Sequence, residues 1–226
     1  TDEPQGGSKD VQASEQPVGL TEHSPRQRST MDVTIVVSTF GGAEWQELAE
    51  SRAIPSAIEQ APVIHAHGDT LAKARNQGLQ AVESEWVIFL DADDELTPGY
   101  VDSMRQGLAD LRAPAVEYVG TRVQAPYVPK VAGHRHDCSG DCLVDGNWLV
   151  IGSTAKADIL REVGGFREYE VYEDWDLWLR AYLAGASVEA VPAAIYRAHV
   201  RSDSRNRAPS MQVKNRVHYE IVKAIG

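Results

Sequence analysis

The sequence predicts an α/β fold in which a mostly parallel central sheet is flanked by helices. In the first 110 residues, short apolar runs alternate with segments of helical periodicity, and this alternation is typical of parallel strands joined by helices. The apolar run Trp86–Leu90 is rich in β-branched and aromatic residues and ends directly in Asp91, as expected for a strand buried on both faces. Ligands of open α/β sheets bind beyond the carboxyl ends of such strands, so we expect a functional site there.

In the first half of the chain, apolar runs predict the strands and 3.6-residue periodicities predict the helices. Asp69 or Thr70 is placed to cap the second helix, and Pro98 suits the first position of the third. The predicted elements are strand 32–38, helix 43–52, strand 62–66, helix 71–82, strand 86–90 and a helix from Thr97 that carries Val101, Met104, Leu108 and Leu111.

The second half of the chain has a less regular pattern. Residues 115–131 resemble strand material interrupted by Pro126 and Pro129, and residues 132–147 have the composition of a loop. The remaining predicted elements are strand 148–151, a short helix 158–163 that Gly164-Gly165 ends, an amphipathic helix 173–183, strand 187–196 and a terminal helix 210–225.

Three regions are predicted along the chain: a polar, disordered extension at 1–30, the α/β domain at 31–205, and a basic helix at 206–226 packed on or beside it. The net charge is −11, yet residues 196–226 carry seven Lys and Arg against two acidic residues, a local charge of +5 that leaves −16 elsewhere. A basic segment on an acidic body suggests an anionic ligand near the tail, or pairing between the tail and the body.

Composition excludes several classes of protein. The hydrophobic fraction of 42% and the charged fraction of 24% are ordinary for a globular protein. No apolar run approaches the roughly 18 residues of a membrane-spanning helix, and the first 30 residues lack the apolar core of a secretory signal, so we expect a cytoplasmic protein. The two cysteines, Cys138 and Cys142, argue against a disulfide scaffold.

The three carboxylates of Asp91, Asp93 and Asp94 would repel one another at a strand end unless a positive charge lies between them. A hard divalent cation is the obvious candidate, and Mg²⁺ typically takes one or two protein carboxylates together with water and substrate phosphate oxygens. The turn therefore suggests chemistry on a phosphorylated substrate. A solvated acidic turn that caps the helix near Pro98 is the alternative interpretation.

Several motifs follow one another in a fixed order: Leu71–Gly78, Asp91-Ala92-Asp93-Asp94, Val163-Gly164-Gly165-Phe166, Glu173–Arg180 and Tyr196-Arg197-Ala198-His199. Their order and spacing resemble family 2 glycosyltransferases of the GT-A fold, in the nucleotide-diphospho-sugar transferase superfamily, over about residues 31–205. The resemblance implies metal-dependent, inverting transfer of a hexosyl group from a nucleoside diphosphate sugar to an acceptor hydroxyl. It also identifies Asp91-Ala92-Asp93 as the DXD motif of such enzymes.

The resemblance implies roles for individual residues. Asp174 is the expected catalytic base, and its place at a helix N-terminus stabilises the anion that would accept a proton. Asp93, Asp91 and His199 are the expected ligands of Mn²⁺ or Mg²⁺, and an imidazole among them favours Mn²⁺. The expected donor-binding residues are Thr39, Phe40, Asp69, Arg75, Asp91 and Ala92. The candidates for acceptor or sugar binding are Trp148, Gly152, Glu173 and Trp175.

The donor and acceptor follow less directly from the resemblance. Many relatives carry Asp-Asp-Gly-Ser after the second strand, where an aspartate contacts uracil, whereas this chain has His65–Asp69 there. Asp69 is the candidate substitute, and a UDP-sugar is the first donor expected. The acceptor is unknown. Saccharide, lipid-linked glycan, protein and modified nucleic acid all remain open, and the basic tail leaves room for an anionic acceptor.

Two other functions stay open at this point. A sugar nucleotidyltransferase of similar fold normally needs a Gly-rich loop with basic residues after the first strand, and Thr39–Gly42 lacks those basic residues. A non-catalytic module that binds a nucleotide or sugar would retain the fold without turnover, and the complete set of Asp91, Asp93, Asp174 and His199 argues against it.

Residues His134–Cys142 hold two histidines and two cysteines within nine positions. Their spacing matches no standard zinc motif, so a flexible acceptor-binding loop is the preferred interpretation. A zinc site and a local disulfide are the alternatives, and the latter is unexpected in a reducing cytosol.

Overall fold

The computed structural model describes residues 31–121, 126, 143, 147–201 and 209–225. The expectations for the extension 1–30 and for His134–Cys142 lie outside these residues. Within the described residues, no helix is long and apolar enough to cross a membrane.

One mixed sheet forms the centre of the described residues, and its long strands all run in the same direction. Its order is β2-β1-β3-β6-β5-β7-β4, with parallel pairing between β1 and β2, β1 and β3, and β5 and β7. The short strands β6 and β4 pair antiparallel with their neighbours. The strands are β1 Val33–Phe40, β2 Val63–Gly68, β3 Trp86–Asp91, β4 Glu95–Leu96, β5 Leu111–Val119, β6 Thr154–Lys156 and β7 Val188–His199.

Helices connect and cover these strands. The first helical segment widens into a π-helical turn at Ala49–Ala53, just before Pro55, whose ring would clash with the carbonyl four residues earlier in a regular α-helix. Thr70 caps α3 by accepting a hydrogen bond from the Lys73 N–H at 3.2 Å. The α-helices are α1 Ala43–Leu48, α2 Ile54–Ala57, α3 Leu71–Ala81, α4 Tyr100–Met104, α5 Ala157–Glu162, α6 Glu173–Leu183 and α7 Met211–Ile225.

The predicted α/β class is confirmed, but the predicted helix from Thr97 to Leu111 is wrong. The observed α4 starts after Gly99, which has φ +78°, and ends at Met104. Leu108 is 92% exposed and Leu111 begins β5. The Glu189 carboxylate of β7 accepts the Leu108 N–H and, at 2.7 Å, the Ala109 N–H. A partner about 80 residues away thus takes the backbone groups that a longer helix would have used.

The predicted strand at 148–151 is also wrong. These residues form a turn in which the Ser153 N–H donates to the Val150 carbonyl at 2.9 Å, and Leu149 and Ile151 are buried without joining the sheet. The strand lies instead at β6, between β3 and β5. Apolar alternation reports burial, and here the buried side chains belong to a turn in the core.

The core includes both faces of the sheet. Val36 in β1 is fully buried, and a Cβ added at Gly78 of α3 would lie 2.2 Å from its Cγ1. The helix α3 therefore approaches the sheet as closely as it does because position 78 has no side chain. The helix α7 adds Val217 and Ile221 to the same core.

Candidate active site

The parallel direction of β1, β2, β3, β5 and β7 brings their carboxyl ends to one edge of the sheet. Phe40, Gly68, Asp91 and His199 are the last residues of four of these strands. Most of the residues expected to bind the donor and the cation therefore lie along one edge, where open α/β sheets bind ligands.

Arg75 connects three elements beneath this edge. Its side chain is 2% exposed, and its two terminal nitrogens donate to Glu173 Oε1 at 2.7 Å and to Asp91 Oδ1 at 2.6 Å. Its guanidinium also lies 5.2 Å from the centre of the Phe166 ring. Burial alone would lower the pKa of Arg75, but the charges of Asp91 and Glu173 raise it above its ordinary value. The buried cation thus holds the end of β3 against the start of α6.

The segment before α6 is fixed to α3 by the neighbouring residue. The Asn76 side chain accepts the Phe166 N–H and donates to the Phe166 carbonyl, both at 2.8 Å. Gly165 has φ +68°, and a Cβ there would lie 2.4 Å from Asn76 Oδ1. This position requires glycine both for its backbone conformation and for its contact with Asn76.

A buried ion pair holds the other side of this turn. Asp176 is fully buried, and its Oδ2 accepts from Arg180 Nη2 at 2.6 Å and from Nε at 2.9 Å. Arg180 also donates to the Val163 carbonyl and, at 2.6 Å, to the Gly165 carbonyl. The motif Glu173–Arg180 therefore serves two purposes: Glu173 faces Arg75, and the Asp176–Arg180 pair anchors the preceding turn.

Asp174 lies in the first turn of α6, beside Glu173. Its carboxylate accepts the Trp175 N–H at 2.8 Å and the Asn147 side-chain amide at 3.2 Å. Burial and the negative charge of Glu173 raise the pKa of Asp174 to about 6, against the opposing influence of Arg75. A carboxylate with this pKa is ionised at neutral pH and still basic enough to accept a proton.

The acidic turn after β3 is held by its backbone. The Asp94 N–H donates to the Asp91 carbonyl at 3.1 Å, and Arg52 donates to the Asp93 carbonyl at 2.7 Å. Burial and the charge of Asp91 raise the pKa of Asp93. The pKa of Asp94 is raised well above its ordinary value by burial and by Asp91 and Asp93. The carboxylates repel one another as the sequence predicts, and a cation would relieve that repulsion.

The expected cation ligands do not form a site by themselves. Among the described residues, no group of three or more His, Cys, Asp or Glu side chains is arranged to hold a metal ion. The His199 Nε2 atom lies 2.6 Å from Glu95 Oε2. One or two carboxylates nevertheless suffice for Mg²⁺ when phosphate oxygens complete its shell, so the acidic turn fits a cation that binds together with a diphosphate.

At the ends of β1 and β2, two imidazoles meet one hydroxyl. Thr39 Oγ1 lies 3.0 Å from His65 Nε2 and 3.0 Å from His67 Nδ1. A hydroxyl has a single proton to donate, so at least one of these rings presents an N–H to Thr39. Asp69 does not share this cluster, since its carboxylate is 90% exposed and lies 3.5 Å from Lys73.

The residues predicted for acceptor or sugar binding lie in different surroundings. Trp148 follows Asn147, and its indole Nε1 is buried with no hydrogen-bond partner among the described residues. Gly152 is buried where a Cβ would lie 2.2 Å from the Tyr196 ring. Trp175 is a core residue, stacked on His218 at 4.8 Å between ring centres, with its indole N–H directed to the Leu143 carbonyl. Trp148 adjoins Asn147, whose side chain contacts Asp174, and the Trp175 backbone N–H contacts Asp174 directly.

The sequence prediction gives no role to His65, His67 and Glu95, and it counts Asp94 only among the three carboxylates of the acidic turn. The two histidines alternate on β2, and alternate residues of a strand share a face, so their pairing has a sequence signal. Asp94 and Glu95 contact β7 more than 100 residues later, and a pattern within one segment gives no signal for such contacts.

Comparisons with known proteins agree with this fold. Residues 45–142 match the family model described as glycosyl transferase family 2. The structure of S. aureus TarS 1–349 in complex with UDP-GlcNAc superposes with a TM-score of 0.63 at 15% identity, covering 86% of this chain and 65% of that one. The same protein in complex with UDP gives a TM-score of 0.58 at 14% identity, with the same coverage. A search of curated proteins finds no significant match.

These likenesses to solved structures, at such low identity, show a shared fold. This chain spans about 65% of the length of the TarS structures with UDP-GlcNAc and UDP.

Proposed function

We propose that the chain, whose residues 45–142 match the family model described as glycosyl transferase family 2, is a member of that family. In the proposed function it transfers a hexosyl group from a nucleoside diphosphate sugar to an acceptor hydroxyl, with inversion at the anomeric carbon. The observation that carries this proposal is the placement of Asp174. A carboxylate with a pKa of about 6 lies next to Glu173, which Arg75 connects to Asp91 in the DXD motif. One buried side chain thus links the candidate base to the candidate donor turn.

In the proposed reaction, Asp174 accepts the proton of the acceptor hydroxyl. The acceptor oxygen forms a bond to the anomeric carbon while the bond between that carbon and the diphosphate oxygen breaks. Attack from the face opposite the leaving group inverts the anomeric configuration. The Trp175 N–H and the Asn147 amide hold the carboxylate, and general base catalysis of this kind contributes typically 10²–10⁴-fold.

Asp93 and Asp91 would hold Mn²⁺ or Mg²⁺ together with the diphosphate, with His199 as a further ligand. Such an ion, when bound, acts as a Lewis acid that neutralises the leaving diphosphate. The acidic turn supports this role, because Asp91 lies close enough to Asp93 for its negative charge to add to the effect of burial on the pKa of Asp93, and a bound cation would offset that charge. The chain's own contribution is to keep both carboxylates at the end of β3, with Asp91 fixed by Arg75.

A UDP-sugar is the proposed donor, supported by the TarS complexes with UDP-GlcNAc and UDP. The nucleotide base of the donor would lie at the ends of β1 and β2, beside Phe40 and the cluster of Thr39, His65 and His67. The proposed acceptor position is beside Asn147 and Trp148, because Asn147 contacts Asp174 and Trp148 is the next residue along the chain. An anionic acceptor, a nucleic acid included, remains compatible with the basic tail.

The proposal is tested by calorimetric binding of UDP, GDP, ADP, CDP and dTDP and of their sugars, each with and without Mn²⁺. We expect one nucleotide to bind at least tenfold more tightly with Mn²⁺, and Asp93→Ala to remove that gain while the protein stays folded. Transfer to a panel of acceptors is then measured with the donor identified. Absence of binding by every nucleotide in the presence of Mn²⁺ would overturn the proposal.

A further inference from the structure

Two acidic residues directly after the DXD motif both contact His199. Asp94 Oδ1 accepts the backbone N–H of His199 at 2.7 Å, and Glu95 Oε2 lies 2.6 Å from His199 Nε2. His199 is thus held at its main chain by one residue and at its ring by the next. Neither contact belongs to the reaction or to the cation set proposed above.

Asp94 fixes the distance between the acidic turn and the end of β7. It is 8% exposed, and its second oxygen accepts a hydrogen bond from the hydroxyl of the fully buried Tyr196 at 2.7 Å. Its own N–H donates to the Asp91 carbonyl. These contacts join the acidic turn to the end of β7.

Glu95 determines which nitrogen of the ring carries a proton. A carboxylate is only an acceptor, and a neutral imidazole has one N–H, so the 2.6 Å contact places the proton on Nε2 and leaves the lone pair on Nδ1. Carboxylates that accept from the remote nitrogen of a ligating histidine orient the ring and raise its basicity.

The sheet register explains why Glu95 is available for this contact. Glu95 lies opposite Arg197 in the β4–β7 ladder, but the Arg197 Nε donates to Glu117 Oε2 at 2.6 Å on the other side. Glu117 is thus the ion-pair partner of Arg197, and Glu95 is directed to the ring of His199. The two glutamates flank the same strand with similar exposure, 32% and 38%.

We propose that Asp94 and Glu95 are positioning residues for His199: Asp94 fixes its backbone beside the acidic turn, and Glu95 fixes the tautomer in which Nδ1 is free to bind the cation that accompanies the diphosphate. The proposal rests on the proposed function for the identity of that ligand. The tautomer itself depends only on the contact between Glu95 and His199.

The test compares Glu95→Ala and Glu95→Gln with the matched control Glu117→Ala. Nitrogen-15 spectra of the ligand-free protein, with His199 assigned through His199→Asn, are expected to show Nε2 protonated in the wild type. Glu95→Ala should lose that preference, and Glu95→Gln should weaken it, because an amide can donate to a ring nitrogen as well as accept from it. Glu117→Ala should leave the His199 ring signals unchanged.

The second readout is the affinity for UDP with and without Mn²⁺. Loss of a residue that orients a ligand typically costs 10–100-fold in metal affinity, so the Mn²⁺-dependent gain should fall about tenfold or more in Glu95→Ala. In the control Glu117→Ala it should change less than about threefold on the same reasoning. Thermal melts confirm that each variant is folded.

Unchanged His199 tautomer and unchanged Mn²⁺-dependent affinity in Glu95→Ala would overturn the proposal. The two readouts separate its failure from that of the proposed function. A wild type that binds no nucleotide overturns the function, whereas the tautomer in the ligand-free protein still tests the role of Glu95. Asp94→Asn provides a second test, since it should weaken Mn²⁺-dependent binding while keeping the His199 ring tautomer.

Discussion

Asp174 illustrates how local environment gives a common residue an uncommon basicity. Its pKa of about 6 follows from burial and from the adjacent charge of Glu173, and Arg75 limits the shift. As a base it works only when ionised, so the transfer rate should fall as the pH falls through about 6.

Asp174→Asn should keep donor binding within about threefold while transfer falls by about 10²–10⁴-fold, the usual contribution of a general base. Steady-state kinetics and calorimetry on the same preparation measure both quantities. If transfer survives at more than about a tenth of the wild-type rate, the base lies elsewhere.

Asp174→Asn should lower the transfer rate, but it should raise the stability of the fold at neutral and high pH. A carboxyl whose pKa is raised by folding, from 3.8 to about 6, contributes stability that is present at low pH and lost as the pH rises through this window. Above pH 6, the free energy of unfolding of Asp174→Asn should therefore exceed that of the wild type. The difference should be no more than about 3 kcal/mol, since each pKa unit corresponds to about 1.4 kcal/mol. Chemical denaturation at pH 4 and pH 8 tests the sign.

Arg75 should be the most costly charged residue of the site to remove. Arg75→Gln leaves two carboxylates near the core without their cation, and breaking a buried pair typically costs 3–5 kcal/mol. It also removes a charge that lowers the pKa of Asp174, so any residual transfer should need a higher pH. Arg75→Lys keeps the charge, so its stability should lie between that of the wild type and that of Arg75→Gln.

The matched control for Arg75 is Lys73→Gln on the same helix. Lys73 is 57% exposed and faces Asp69, which is 90% exposed, so its loss should change stability by less than about 0.5 kcal/mol. Equal losses from both helix positions, measured by urea denaturation, would contradict the central place given to Arg75.

At the scale of the element, the turn between α5 and α6 has two glycines with different demands. Gly164 and Gly165 both have positive φ, +87° and +68°, but an added Cβ would meet open space at the first and Asn76 Oδ1 at the second. Gly164→Ala should cost about 1 kcal/mol from the backbone alone. Gly165→Ala should cost at least about 1 kcal/mol more, because Asn76 must give up its contacts with Phe166.

Denaturation midpoints of the two glycine variants measure this difference directly. Since Phe166 packs against Arg75, Gly165→Ala should also lower the transfer rate, whereas Gly164→Ala should leave it near the wild-type value. Equal stability of the two variants would contradict the contact with Asn76.

Elements whose residues interact locally are well predicted from the sequence. The bounds of the amphipathic α6 are those predicted, and β3 extends the predicted strand by one residue. The helix expected to reach Leu111 ends early because Glu189, far along the chain, binds its backbone. Similarly, motifs predicted the importance of Arg75 and Glu173, but their ion pair spans 98 positions and follows only from the tertiary structure.

At the scale of the whole molecule, the basic helix α7 is part of the structure that surrounds α6. Ile221 is fully buried in the core and His218 stacks on Trp175, the residue after Asp174. Ile221→Ala should cost about 2–5 kcal/mol, as is typical for truncating a buried isoleucine. Tyr219→Ala, on the exposed face of the same helix at 65% exposure, should cost less than about 0.5 kcal/mol.

Thermal and urea denaturation of the two α7 variants provide the measurement. A small cost for Ile221→Ala would mean that Ile221 contributes little to the docking of α7 on the core. A large cost, with a reduced transfer rate, would make the helix a support of the candidate base.

The pairing of Arg75 also dictates how ligands bind in the proposed function. The single positive charge of this cation already lies against the two carboxylates of Asp91 and Glu173, so it is offset before a diphosphate arrives beside Asp91, Asp93 and Asp94. A nucleotide would then approach a negative surface, and a divalent ion would approach a turn with too few ligands. Each would raise the affinity of the other by the same factor, as thermodynamic linkage requires. A change in the concentration of either ligand would therefore change the apparent affinity for the other.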